Sequence, residues 1–169
     1  VTYYPIKMGR TGTNPLGDII YFIRLFRIIK KERPTFLFTY TIKPNIYGSL
    51  AAHILGITTT AMMPGLGYAF KSKSISMIIA RSLYRWGLSM TNHLLLLNEE
   101  NYHDVVTQKL CNKTKIILLR GGEGVNLGHF EYTDNTAEHT TFLFVGRILW
   151  DKGYLEFVEA AKIVKQLYT

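Results

Sequence analysis

Short runs of apolar and β-branched residues, each bounded by a breaker, constrain this chain more than any other feature. They fall at residues 35–41, 58–63, 93–97, 116–119 and 142–145. Runs of this length and chemistry suit strands, and unbroken apolar character suits a strand covered on both faces. The intervening spacing predicts helices over residues 19–32, 46–55, 75–90, 99–110 and 155–167. Strands that alternate with helices pair in parallel and gather their ligands at the carboxyl edge of the sheet. The expected class is therefore α/β.

The breakers organise the rest. Residues 1–17 begin with a short strand pattern and become a loop punctuated by Gly9, Gly12, Asn14, Pro15 and Gly17. Asp18 is the expected cap of the first helix, Pro34 its end, Gly56 the stop of the second and Asn98 the cap of the fourth. Residues 120–140 are crowded with Gly, Asn and Asp, which marks a domain boundary. The chain then divides into a partial first domain over residues 1–122, a linker over 123–140 and the start of a second domain over 141–169. One strand and one helix cannot bury a core alone. An interior piece of a larger two-domain protein is expected.

Charge is unevenly spread. The net +8 comes from residues 1–90, where twelve Lys and Arg face two acids, whereas residues 91–169 hold eight against ten. An anionic membrane, a lipid phosphate or nucleic acid would suit such a half, and so would a solvated face with no partner. The helix over residues 19–32 combines a broad apolar face with Arg24, Arg27 and Lys31 on one side, so it packs on a sheet or lies on an anionic membrane. Nucleic acid is disfavoured, because Phe36, Phe38 and Tyr40 have no cations interleaved with them. No apolar run approaches the ~20 residues of a membrane span. The lone Cys111 cannot form an internal bridge and favours a reducing compartment. His53, His93, His103, His129 and His139 lack ligand spacing, so no metal site is expected. Nor does any Gly-x-Gly-x-x-Gly follow a strand, which disfavours a dinucleotide enzyme.

Phe142-Leu143-Phe144-Val145 runs straight into Gly146-Arg147, and Lys152-Gly153 precedes the last helix. A strand, a basic glycine-flanked turn and a helix N-terminus together present cations and N–H groups to phosphate. Arg147 supplies a planar fork and Lys152 a mobile point charge. This string, Phe-Val-Gly-Arg-x4-Lys-Gly, resembles the opening of the second domain of family 4 glycosyltransferases. Further resemblance lies in Asn14-Pro15 with Asp18, Pro34, Lys43-Pro44-Asn45-Ile46-Tyr47-Gly48 and Gly65-Leu66-Gly67. It continues in Arg81, Tyr84-Arg85, Asn98 and Gly124-Val125-Asn126 with Phe130. The set is similar to bacterial enzymes that build lipid-linked surface glycans such as capsule, exopolysaccharide or O-antigen.

The resemblance implies a GT-B fold, two Rossmann-like domains facing a cleft, of which this chain holds an incomplete first domain and the first strand and helix of the second. It implies retaining transfer from a UDP- or GDP-linked sugar to a polyprenyl-diphosphate-linked acceptor, without a cofactor or metal, at the cytoplasmic face of the cell membrane. On that reading Arg147, Lys152, Gly146 and Gly153 meet the donor diphosphate. Gly65, Leu66, Gly67, Lys43, Asn45 and Tyr47 lie near sugar or acceptor, and Arg81 and Arg85 meet lipid phosphate. Two departures stand out. Where many members carry a His after the second strand, this chain reads Met63-Pro64-Gly65, so no general base is named. Glu123 and Glu131 have the family's Glu-x7-Glu spacing but precede the Arg–Lys pair, and are read as coincidence. The competing expectation is a non-catalytic membrane-surface or protein-interaction module.

Overall fold

Pro15 opens the first helix, because its ring presets a helical φ and its missing N–H is one that a first turn does not use. In the computed structural model, which describes residues 2–9, 14–66, 75–133 and 139–168, that helix is α1 (Pro15–Glu32). It is followed by β1 (Phe36–Tyr40), α2 (Ile42–Leu55), β2 (Thr58–Met63), α3 (Ile75–Ser89), β3 (His93–Leu96), α4 (Glu99–Thr107), β4 (Ile116–Leu118) and α5 (Tyr154–Tyr168).

The strands form one parallel sheet in the order β1-β2-β3-β4. Successive crossovers of one hand, all stepping the same way, place their helices on one face. On that face, Leu37 and Thr39 of β1 lie beneath Gly48 of α2. The alternate side chains Phe36, Phe38 and Tyr40 belong to the other face and remain 49%, 49% and 42% exposed. The core lies between helices and sheet and is built from Ile46, Ala61, Met63, Leu66, Tyr84, Leu88, Leu94, Leu96, Val105 and Leu110. The chain forms two compact units, Val1–Val125 and Asn126–Thr169.

Several expectations are corrected. Asn14, not Asp18, caps α1: its side chain accepts from the Gly17 N–H at 3.1 Å, since it directly precedes the helix-ready proline. Helix α2 begins at Ile42 instead of residue 46, because Pro44 falls in a first turn where its lost N–H costs nothing. Helix α4 ends at Thr107, with Gln108 as its cap. Residues 2–9 contain no strand. Residues 142–145 form no strand and pair with no neighbour among the described residues. A strand needs a neighbour for its N–H and C=O groups, and among the described residues no strand lies in the second unit.

Close approach of α3 to α2 depends on Gly87. A Cβ there would stand 2.7 Å from the Ile46 Cα, a backbone atom that cannot swing aside. Gly87→Ala should therefore lower stability by about 1–3 kcal/mol despite the better helix propensity of alanine. Urea unfolding of the chain reads this as a lower midpoint at unchanged slope. An unchanged midpoint would show that the two helices can separate freely.

Candidate functional site

Because all four strands run in parallel, the segments that follow them converge at one edge of the sheet. The first of these turns sits at Thr41, which holds φ 72 and ψ 173. A β-branched residue there costs of order 1–3 kcal/mol. The surroundings hold it: its N–H donates to the Met62 carbonyl at 3.4 Å and its carbonyl accepts from the Asn45 N–H at 3.0 Å. Helix α2 thus starts within one residue of the strand, and its first turn carries the residues singled out in the sequence.

Lys43 and Tyr47, four residues apart on one helix face, both reach Asp18 of α1. Lys43 Nζ lies 2.6 Å from Asp18 Oδ1, with side chains 16% and 18% exposed. The Tyr47 hydroxyl donates to Oδ2 at 3.1 Å. Burial, then the Asp18 charge and hydrogen bond, push the Tyr47 hydroxyl up to about 12. Any ligand of Lys43 therefore meets a cation already neutralised by a carboxylate. Gly9 lies alongside, where an added Cβ would be 3.9 Å from Lys43 Nζ.

Asn45 points inward. It is fully buried, and its amide nitrogen donates to the Met62 carbonyl at 2.9 Å and to the Tyr84 hydroxyl at 3.3 Å. Its place is behind the edge, where it ties α2 to β2 and α3. Burial likewise pushes Tyr84 up to about 12, partly offset by the Asn45 hydrogen bond.

After β2, Gly65 is half-buried and Leu66 belongs to the core, while Gly67 lies outside the described residues. Asn101 steadies this turn by donating to the Pro64 carbonyl at 3.3 Å. After β4, Glu123 accepts from the Tyr40 hydroxyl at 2.9 Å, and Arg120 lies 3.3 Å from Glu99. On α3, Arg85 donates to the Gln108 carbonyl at 2.8 Å and so closes the end of α4. Arg81, one turn earlier, is half-buried.

In the second unit, Phe144 stacks its ring edge-on to Tyr154 and tilted to Phe157, each 5.5 Å away. These contacts fasten the segment before Gly146 to α5. Between them Gly146 and Arg147 are exposed, and a single turn of 3-10 helix (Trp150–Lys152) leads into Gly153. Gly153 holds φ 70, a left-handed conformation that favours glycine. Arg147, Lys152 and the first N–H groups of α5 thus share one short connection.

Asp18, Tyr40, Asn101 and Glu123 were not legible as members of the edge. Asp18 could have been recognised only by noticing that Asn14-Pro15 already supplied a better helix start. The other three meet partners from 37 to 83 residues away. Among the described residues no cluster of three or more His, Cys, Asp or Glu could hold a metal ion. No described helix is long and apolar enough to cross a membrane.

A family model described as glycosyl transferase 4-like matches residues 1–98. The chain is 26% identical to an Escherichia coli UDP-Gal:alpha-D-GlcNAc-diphosphoundecaprenol alpha-1,3-galactosyltransferase, over 88% of this chain and 41% of that protein. It is 26% identical to a Campylobacter jejuni N,N'-diacetylbacillosaminyl-diphospho-undecaprenol alpha-1,3-N-acetylgalactosaminyltransferase, over 94% and 46%. It is 22% identical to a Staphylococcus aureus capsular polysaccharide biosynthesis glycosyltransferase, over 88% and 42%. The chain spans less than half the length of each.

The strongly raised phenols of Tyr47 and Tyr84 contribute a pH dependence. Their ordinary value is 10.0 and their folded value about 12. Unfolded tyrosine ionises first, so the native state binds more protons and stability falls as pH rises from about 10 to about 12. Urea midpoints measured across that window should drop for the parent and drop less for Tyr84→Phe. Equal drops in both would mean that the Tyr84 hydroxyl is not held neutral by its burial.

Proposed function

The chain belongs to the glycosyl transferase 4-like family, and on that premise we propose that it is part of a retaining glycosyltransferase that moves a sugar from a nucleotide-sugar to a lipid-linked glycan acceptor. The observation that carries this reading is that the family match takes in α1 to β3, the elements that build the sheet edge around Lys43 and Tyr47. It is supported by two relatives whose names specify diphosphoundecaprenol-linked acceptors.

In this mechanism the bond between the sugar's anomeric carbon and the donor phosphate oxygen breaks, and its electron pair leaves with the nucleoside diphosphate. The acceptor hydroxyl forms the new glycosidic bond, and its proton passes to the departing diphosphate, which gains a negative charge as the old bond breaks. Negative charge grows on the leaving diphosphate, and stabilising it is where the protein gains most. Arg147 and Lys152 suit that role, because the guanidinium can take two phosphate oxygens at once and the ammonium adds a mobile charge. The N–H groups opening α5 add their dipoles. Gly146 and Gly153 let the backbone come close. With those two cations taking the charge, the reaction needs no metal ion.

The acceptor lies at the carboxyl edge of the sheet, beside Lys43, Tyr47 and the Gly65-Leu66 turn. Asp18 orients the first two, and Asn45 positions the turn that carries them. Polysaccharide assembly on a polyprenyl diphosphate puts the protein at the periphery of the cytoplasmic membrane face.

Calorimetric titration of UDP and GDP into the full-length polypeptide tests the donor site. Arg147→Ala should weaken the preferred nucleotide by roughly ten- to a hundredfold, the loss of about 1.5–3 kcal/mol from a charged hydrogen bond. Unchanged affinity would remove Arg147 from the donor site.

A further inference from the structure

The outward face of α1 carries an order that packing does not require. Leu16, Ile19, Ile20 and Ile23 are 74%, 55%, 51% and 41% exposed. Arg24, Arg27, Lys30 and Lys31 follow and are exposed too. At the angular step of an α-helix these eight side chains fall within about 140° of the circumference. Tyr21 and Ile29 are buried, with Phe22, Leu25, Phe26 and Ile28 partly so. These fill the rest and are enough to seat the helix. The exposed sector is thus a second amphipathic surface, aliphatic along its first two turns and cationic along the next two.

The acids of α1 do not neutralise it. Asp18 is engaged by Lys43 and Tyr47. Glu32 accepts from Tyr4 and stands 4.0 Å from Lys31. Arg24, Arg27 and Lys30 meet no carboxylate among the described residues. A preference of cations for helix C-termini would explain Lys30 and Lys31, but neither Arg24 and Arg27 nor the four aliphatic residues before them.

We propose that this face of α1 docks on the anionic surface of a lipid bilayer, with Leu16, Ile19, Ile20 and Ile23 entering the acyl boundary and Arg24, Arg27, Lys30 and Lys31 lying against lipid phosphates. Only a partner that is both apolar and anionic at its surface answers both halves. A second copy answers neither arrangement: parallel faces oppose cation to cation, and antiparallel faces bury cations on aliphatics. Nucleic acid leaves the aliphatic half unused. The proposal deepens the reading above and rests on it for bringing the protein to a membrane at all.

Co-sedimentation of the 169-residue chain with phosphatidylcholine vesicles, with and without phosphatidylglycerol, tests it without nucleotide or acceptor. The donor titration can therefore fail while this experiment succeeds, and the reverse. The chain should bind only the anionic vesicles, and high salt should weaken that binding. Reversing two charges, Arg24→Glu with Arg27→Glu, should weaken it roughly tenfold or more. Ile19→Ser with Ile23→Ser should weaken it and leave the remainder more salt-sensitive. Because all four residues are exposed, circular dichroism should match the parent. The proposal is overturned if neither pair changes binding, or if Lys109→Glu with Lys113→Glu, a matched reversal elsewhere on the surface, weakens it as much. It is overturned equally if the isoleucine pair abolishes self-association in analytical ultracentrifugation and leaves vesicle binding intact, which would assign the face to a second copy.

Discussion

The buried side-chain amide of Asn45 couples three elements through one nitrogen, which donates to the end of β2 at Met62 and to Tyr84 of α3. In a low-dielectric core such a bond is strong, and its loss would leave the Met62 carbonyl with the longer bond from the Thr41 N–H. The amide therefore fixes where α2 begins relative to the strand ends. The strained backbone of Thr41 is tolerable only because the same neighbourhood holds it from both sides. Gly87 completes the arrangement by letting α3 lie directly against Ile46. Lys43 and Tyr47, on the turn so placed, have little freedom to point elsewhere.

Charge is handled with the same sparing use of groups. The first ninety residues contain two acids, and both are used internally. Asp18 joins α1 to α2 through Lys43 and Tyr47, and Glu32 receives the hydroxyl of Tyr4. Apart from Lys31, which stands 4.0 Å from Glu32, the cations of α1 find no counter-charge within their own helix. On α1 the cations Arg24, Arg27, Lys30 and Lys31 are exposed next to uncovered aliphatic residues.

Much of the fold was legible. Strand runs at 58–63, 93–97 and 116–119, the caps Asn98 and Gly56, and the helix near Tyr154 all stand close to where periodicity and breakers put them. Errors arose where one residue had two possible uses. Asp18 makes a good cap, but Asn14 before Pro15 makes a better one and releases the carboxylate for Lys43. The spacing predicts the second helix only from residue 46, beyond Pro44, yet a proline sits comfortably in a first helical turn. The apolar run before Gly146 has strand chemistry, but a strand is a paired object, and among the described residues its unit offers no partner.

From the sequence alone came the element types, the parallel α/β class, the basic first half and the resemblance carried by Lys43 to Gly48 and by Gly146 to Gly153. These depend on local periodicity, on backbone preferences of Gly, Pro and Asn, and on counting charges, all properties of neighbours along the chain. Tertiary structure alone decided that Asn45 faces inward, that Asp18 serves two residues of another helix, that Tyr40 finds Glu123, and which sector of α1 stays uncovered. Each of those depends on which distant groups arrive at the same place, and a one-dimensional pattern carries no distance between them.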